Sequence, residues 1–209
     1  KTYQSAAWLP KTYSLTRLPS ITSLRSLRAF VSASSAINPF TGFGDPVLKG
    51  GADVKKGFEI IDLFRGNQGN VESIRAMSEL PDTSKELQTI AKFLNVSEDN
   101  LYLRERATET NVKSTDLSTF KVISFATHGL IAGEITGLAE PALVLTPPEK
   151  GSIEDDGLLT ASEITQLNLN ADWILLSACN TAAGETLEAE GLSGLARAFI
   201  YAGARSMLV

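Results

Sequence analysis

Two patterns of apolar residues alternate along the chain: continuous apolar runs, and apolar residues repeated at helical spacing. Two stretches, Phe120 to Ala126 and Trp173 to Ser177, are almost continuously apolar over strand length, which is typical of strands covered on both faces. Other stretches repeat apolar residues at helical spacing, as Leu87, Ile90 and Leu94 do. The pattern therefore predicts buried strands separated by amphipathic helices.

Weaker patterns predict the remaining elements. The predicted strands are 11–18, 101–103, 142–145 and 205–209, and the predicted helices are 21–31, 81–95, 162–167 and 192–201, with a helical turn at 107–113. Asp82 or Thr83 is expected to cap the second helix and Asn95 to end it. Residues 32–69 are rich in Ser, Gly, Asn and Pro, and we expect loops there. Strands that alternate with helices predict an α/β fold with a doubly wound, mostly parallel sheet in three αβα layers.

Composition narrows the class of protein. With 209 residues, of which 43% are hydrophobic and 21% charged, the chain is long enough for one large domain and too apolar for disorder. A net charge of −5 gives no basic field for nucleic acid, and the longest apolar runs are far too short to cross a membrane. One Cys and one His exclude a disulfide framework and a His-rich metal cluster, so we predict no metal and no cofactor. No glycine-rich phosphate motif is complete, which argues against a nucleotide-binding domain, although that class remains a rival.

The single His and the single Cys both follow predicted buried strands. His128 comes two residues after one strand and Cys179 two residues after the other. Because ligand crevices lie beyond the carboxyl ends of parallel strands, neighbouring strands would bring thiol and imidazole together. Such a pair can act as a nucleophile and its proton shuttle, with the backbone N–H groups of Gly129 and Cys179 facing the oxyanion. Each residue taken singly also has a plain structural explanation: a lone Cys is often an inert small hydrophobe, and a His before Gly is often a turn residue.

An acidic, glycine-containing loop is predicted at residues 151–157. Asp155 and Asp156, with Glu154, can form an acidic substrate wall or a Ca²⁺ loop, or they can be a solvated turn. We expect Asp156, and more weakly Asp155, to contact a basic substrate side chain.

Five ordered segments resemble the CHAT domain of caspase-like cysteine peptidases. They are Phe125-Ala126-Thr127-His128-Gly129-Leu130, Glu140-Pro141-Ala142-Leu143-Val144-Leu145, Asp156-Gly157-Leu158-Leu159-Thr160-Ala161-Ser162-Glu163-Ile164, Ser177-Ala178-Cys179-Asn180-Thr181 and Glu190-Gly191-Leu192-Ser193-Gly194-Leu195-Ala196-Arg197-Ala198-Phe199. The spacing of about 50 residues between His and Cys is also that of caspases.

The resemblance implies a fold, an activity and a domain organisation. It implies a caspase-hemoglobinase type of sheet, and it places the catalytic His on His128 and the nucleophile on Cys179. The implied protein is a cytoplasmic cysteine endopeptidase that acts on peptide or protein substrates and is regulated by fused or associated helical TPR repeats. A catalytically silent interaction scaffold is the alternative. We expect residues 1–10 to be a linker, residues 11–209 to be the CHAT domain, and the domain to continue beyond Val209.

Overall fold

A computed structural model describes residues 34–50, 68–135, 137–152, 154–177 and 187–209, all within the compact unit Ser34–Val209. The described strands are β1 (Asn38–Pro46), β2 (Leu101–Arg104), β3 (Phe120–Ala126), β4 (Gly129–Leu130), β5 (Ala142–Val144), β6 (Leu158–Thr160), β7 (Trp173–Ser177) and β8 (Met207–Leu208). The described α-helices are α1 (Gln68–Arg75), α2 (Pro81–Phe93), α3 (Glu109–Ser114), α4 (Ala161–Ile164) and α5 (Leu187–Tyr201), and short 3₁₀ turns span Glu98–Asn100 and Leu117–Thr119.

Five strands form a parallel sheet in the order β2-β1-β3-β7-β8. Side chains alternate between its two faces, as they must in a strand. One face carries Phe43 and Phe125 and packs with Phe199 of α5, while the other face carries Phe40 and packs with Leu87 of α2. The predicted α/β fold with a mostly parallel sheet and helices on its faces is confirmed, and this architecture is consistent with a caspase-like fold.

The expectation of loops throughout residues 32–69 is wrong. Residues Asn38–Pro46 form β1, which lies inside the sheet between β2 and β3. Gly42 and Gly44 weaken the sequence signal for a strand, but they are needed for close packing: a Cβ atom added at either position would lie within 2.8 Å of a Leu87 methyl group. Tertiary packing of α2 therefore overrides the low strand propensity of this segment.

The bounds of several helices also differ from the prediction. Helix α2 begins at Pro81 after Leu80, without a side-chain cap, so the expected cap by Asp82 or Thr83 is wrong. The Thr83 hydroxyl instead accepts a hydrogen bond from the Asp45 amide at 2.9 Å and joins α2 to the end of β1. Asn95 does end α2, in the left-handed conformation (φ 56°) that a helix terminus favours. Helix α1 was not predicted, α4 is shorter than expected at 161–164, and α5 starts earlier, at Leu187.

A second, smaller sheet follows directly from the end of β3. Strands β4, β5 and β6 are antiparallel, with Gly129 opposite Leu143 and Leu143 opposite Leu159. Apolar side chains from this sheet pack with Leu48 and with Ile74 of α1. The small sheet therefore holds the chain immediately after His128 in a fixed position.

Some predicted elements lie outside the described residues. They are the linker 1–10, the strand 11–18, the helix 21–31 and the loop that carries Cys179. Among the helices that are described, none combines the length and the apolar character required to cross a membrane.

Candidate active site

Strands β3 and β7 end side by side at the carboxyl edge of the large sheet. Ala126 and Ser177 are ladder partners, and the Thr127 amide donates a hydrogen bond to the Ser177 carbonyl at 3.2 Å. His128 follows Ala126 by two residues, and Cys179 follows Ser177 by two residues. Cys179 itself lies outside the described residues, but covalent geometry limits its Cα to about 7 Å from that of Ser177. The segments that follow β3 and β7 therefore begin side by side at the same edge of the sheet.

The imidazole of His128 is anchored through one of its two nitrogens. Its Nε2 atom lies 2.8 Å from the Ser78 carbonyl oxygen, in the segment that leads into α2. A carbonyl oxygen only accepts hydrogen bonds, so Nε2 must carry the proton in this contact. In the neutral ring the other nitrogen, Nδ1, is then the acceptor that is left to serve as a base. The side chain is only partly buried, which leaves the ring accessible.

The backbone on both sides of His128 is held by β5. The Val144 amide donates to the His128 carbonyl at 2.9 Å, and the buried Thr127 hydroxyl donates to the Val144 carbonyl. One bond holds the main-chain carbonyl of His128 and the other holds the side chain of Thr127 just before it, so both tie this part of the chain to Val144. His128 is therefore positioned by two elements at once, the strand β5 and the loop before α2.

The pairing of β4 with β5 leaves the Gly129 amide on the outer side of β4. Hydrogen-bonded and non-bonded pairs alternate along an antiparallel ladder, and His128 opposite Val144 is a bonded pair. Gly129 opposite Leu143 is then a non-bonded pair, whose amide points away from β5. This amide was the predicted oxyanion donor, and its role stays a prediction.

A carboxylate from α2 reaches the end of β7. The Ser177 hydroxyl donates a hydrogen bond to Glu86 Oε2 at 3.2 Å, and both residues are exposed. Helix α2 and the loop before it thus supply two groups to this edge of the sheet: the Ser78 carbonyl on His128 and the Glu86 carboxylate on Ser177.

Asp155 and Asp156 make hydrogen bonds within their own part of the fold. Asp155 Oδ2 accepts from the Thr110 amide and hydroxyl, at 3.3 and 2.5 Å, and Asp156 Oδ1 accepts from the Leu158 amide at 3.0 Å. Partial burial raises the pKa of the Asp156 carboxyl above its usual range, against the opposing effect of its bond to Leu158. Their contact with a basic substrate side chain stays a prediction.

A hydrogen-bonded cluster around the buried Glu109 fixes the same acidic loop. Glu109, which is 1% exposed, accepts from the amides of Asp156 and Gly157 at 3.0 and 3.3 Å and pairs with Lys113. Lys113 Nζ also lies 2.8 Å from Glu163 of α4. The cluster therefore ties α3 to the acidic loop and to α4.

Burial and pairing shift the proton affinities in this cluster in opposite directions. Burial raises the pKa of Glu109 to about 8, although the bond from Lys113 opposes the rise. For Glu163 burial works in the same direction, but hydrogen bonds from Lys113 and Thr160 outweigh it and lower the pKa. Desolvation disfavours the charged form of Lys113, yet its bonds to the two carboxylates raise the pKa of its ammonium group.

Two contributors to the site had no signal in the sequence. Ser78 acts through its backbone carbonyl, which no side-chain motif reveals, and Glu86 is one of the two exposed carboxylates of α2, with Asp82. Only their position relative to the ends of β3 and β7 singles them out. Within the described ranges, no three His, Cys, Asp or Glu side chains are grouped as they would need to be to hold a metal ion.

Comparison with known proteins agrees with the resemblance seen in the motifs. The family model of the CHAT domain matches residues 2–209, which is essentially the whole chain. Comparisons with curated proteins and with solved structures found no match. The boundary expected between residues 10 and 11 stays a prediction. A match over this length shows that the chain belongs to the CHAT domain family, which is related to the caspase-like cysteine peptidases.

Proposed function

We propose that this chain is a cysteine endopeptidase that hydrolyses peptide bonds through Cys179 and His128. The observation that carries the proposal is the register of β3 and β7, because Ala126 and Ser177 are ladder partners and the two catalytic candidates each follow by two residues. The bond between His128 Nε2 and Ser78 supports it further, since it leaves Nδ1 as the base.

The proposed reaction proceeds in two halves. Nδ1 of His128 takes the thiol proton, and the Cys179 sulfur attacks the peptide carbonyl carbon to give a tetrahedral oxyanion, which the amides of Gly129 and Cys179 stabilise. When the C–N bond breaks, the imidazolium returns its proton to the leaving amine and a thioester remains. Water then loses a proton to the imidazole and attacks the thioester, which releases the carboxylic acid and restores the thiol.

Localisation and partners belong to the same proposal. Thiols are kept reduced in the cytoplasm, which suits a thiol nucleophile, and we propose that the protein acts there. Its substrate is a peptide or protein, and fused or associated helical TPR repeats regulate it. The alternative is a catalytically silent interaction scaffold of the same fold.

The alkylation rate of Cys179 tests the proposal directly. Because the chain contains one Cys, iodoacetamide labelling measured by mass spectrometry reports that thiol alone. The native protein at pH 7 should react about tenfold faster than the denatured chain, since a neighbouring imidazolium favours the thiolate. His128→Ala should remove this advantage. A rate that is unchanged by His128→Ala would overturn the dyad and favour the scaffold.

A further inference from the structure

We infer that Glu109 is a positioning residue for His128, which acts by holding the hairpin of β5 and β6 in place behind the candidate base. The inference deepens the proposed function and rests on it, because His128 is the base of the proposed reaction. It comes from one juxtaposition: a buried carboxyl group of α3 accepts hydrogen bonds from the amides of Asp156 and Gly157, immediately before β6.

A path of hydrogen bonds leads from Glu109 to the main chain of His128. Oε2 of Glu109 accepts from the Gly157 amide at 3.3 Å, and the Gly157 carbonyl accepts from the Leu145 amide at 2.8 Å. The residue before Leu145 is Val144, whose amide donates to the His128 carbonyl at 2.9 Å. A shift of Gly157 would therefore pass through β5 to the residue that carries the imidazole.

The segment that carries Glu109 also holds β5 directly. The Ala107 carbonyl accepts a hydrogen bond from the Thr146 amide at 2.8 Å, just past the end of β5, while Glu109 holds the residue just before β6. Val144, which bonds to His128, is the last residue of β5. Residues 107 and 109 thus clamp both strands of the hairpin at the end that contacts His128.

Stability alone does not account for a carboxyl group at this place. Glu109 is almost completely buried, and removing a carboxyl group from water costs free energy that its hydrogen bonds must first offset. A well-packed apolar side chain often stabilises a core as well, but it cannot hold two amides in fixed positions. Lys113 adds a further anchor, because its Nζ donates to the Glu154 carbonyl at 2.7 Å. Such a polar network fixes one arrangement of the loop before β6.

Hydrogen exchange at the Val144 amide tests the path without any dependence on catalysis. Glu109→Ala removes the acceptor of both loop amides, whereas Val112→Ala on the same helix removes buried methyl groups and leaves that acceptor in place. The two variants would be compared at equal free energy of unfolding, set with low concentrations of urea. We expect the Val144 amide to exchange about tenfold faster in Glu109→Ala than in Val112→Ala. Glu109→Gln keeps an acceptor oxygen and should stay within about threefold of Val112→Ala.

The imidazole ring supplies a second measurement on the same variants. Because the chain contains one His, nitrogen NMR of a histidine-labelled protein reports His128 alone. The tautomer with the proton on Nε2 should dominate in the wild type, since Nε2 bonds to the Ser78 carbonyl. Glu109→Ala should shift the two tautomers toward the proportions of a free imidazole. Val112→Ala and Glu109→Gln should keep the wild-type spectrum.

Either measurement can overturn the inference. Equal exchange of the Val144 amide in Glu109→Ala and Val112→Ala would do so, and so would an unchanged His128 spectrum in Glu109→Ala. If Glu109→Ala does not fold, Glu109→Asp, whose carboxyl group is one methylene shorter, takes its place under the same two criteria. Neither measurement uses the thiol, so the two proposals fail separately. An alkylation rate that is unchanged by His128→Ala overturns the peptidase and the catalytic meaning of the path, whereas equal Val144 exchange overturns the role of Glu109 alone.

Discussion

The carbonyl oxygen of Ser78 lies 2.8 Å from Nε2 of His128, although the two residues are 50 positions apart in the chain. The contact joins the loop before α2 to the end of β3. It assigns the proton of the neutral ring to Nε2 and leaves Nδ1 to accept a proton. A backbone carbonyl thereby orients the candidate base in the way that a carboxylate does in the catalytic triads of hydrolases.

The buried Glu109 predicts an unusual dependence of stability on pH. Its pKa in the folded protein is raised by burial to about 8 from 4.5, so the folded state holds a proton that the unfolded chain loses between these values. The stabilisation from this group is therefore fully present below pH 4.5 and is lost as the pH rises through about 8. The slope contributed by one such group is at most about 1.4 kcal/mol per pH unit.

Urea denaturation at pH 5.5, 7 and 8.5 measures this effect, with Glu109→Gln as the comparison. The wild type should lose free energy of unfolding across the series, and the variant should lose less. Glu163, whose pKa is lowered mainly by its bonds to Lys113 and Thr160 and less by its bond to Glu109, contributes in the opposite sense. The same pH dependence in both proteins would show that Glu109 does not hold the proton.

Gly42 and Gly44 predict two different responses to the addition of one methyl group. A Cβ at Gly42 would meet side chains, with Leu87 nearest at 2.8 Å, whereas at Gly44 it would also meet the Ala126 backbone carbonyl at 2.8 Å. Each Gly→Ala change should lower the free energy of unfolding by about 1–3 kcal/mol through overpacking. In a Leu87→Ala background, Gly42→Ala should lower the free energy of unfolding much less than it does in the wild type. Gly44→Ala should remain nearly as costly in that background, because the Ala126 carbonyl is still in place. Equal rescue at both positions would contradict this account of the packing between α2 and β1.

The side chain of Thr127 links the small sheet to the candidate site through a hydrogen bond to β5. Its hydroxyl is buried and donates to the Val144 carbonyl, beside the bond from the Val144 amide to His128. Thr127→Val keeps the shape but removes the donor, and should cost about 1–3 kcal/mol because a buried acceptor loses its partner. Thermal unfolding of this variant measures the cost, with Thr89→Val on the exposed face of α2 as the matched control, since Thr89 donates there to the Lys85 carbonyl. Equal costs at the two positions would show that burial of the Thr127 bond adds nothing.

Periodicity predicted the two central strands β3 and β7 with their observed ends, because both are continuous apolar runs of strand length. The expected burial on both faces is wrong for β7, where Ile174 and Leu176 are buried but Trp173 is 47% exposed. Periodicity missed β1 because this segment carries Gly42, Gly44 and two prolines and therefore has a low strand propensity. The close packing of Leu87 explains why glycine occupies positions 42 and 44.

The sequence predicted that the ends of β3 and β7 would lie side by side if the two strands paired directly. The strands do pair directly, with Ala126 opposite Ser177. The contacts of Ser78 and Glu86 could not be predicted, since each depends on where α2 lies against the sheet.

Proteolysis by the dyad is the central claim, and identification of cleaved peptide bonds tests it most directly. A proteome would be incubated with the wild-type protein, carried in its longer parent protein if it has one, and with the Cys179→Ala and His128→Ala variants, and the new N-termini would be read by mass spectrometry. We expect a defined set of new N-termini with the wild type that falls by about three orders of magnitude or more in rate with either variant, because nucleophile and base act as one unit. Both variants should unfold at nearly the wild-type temperature. The same set of new N-termini at the same rate with Cys179→Ala would contradict the claim.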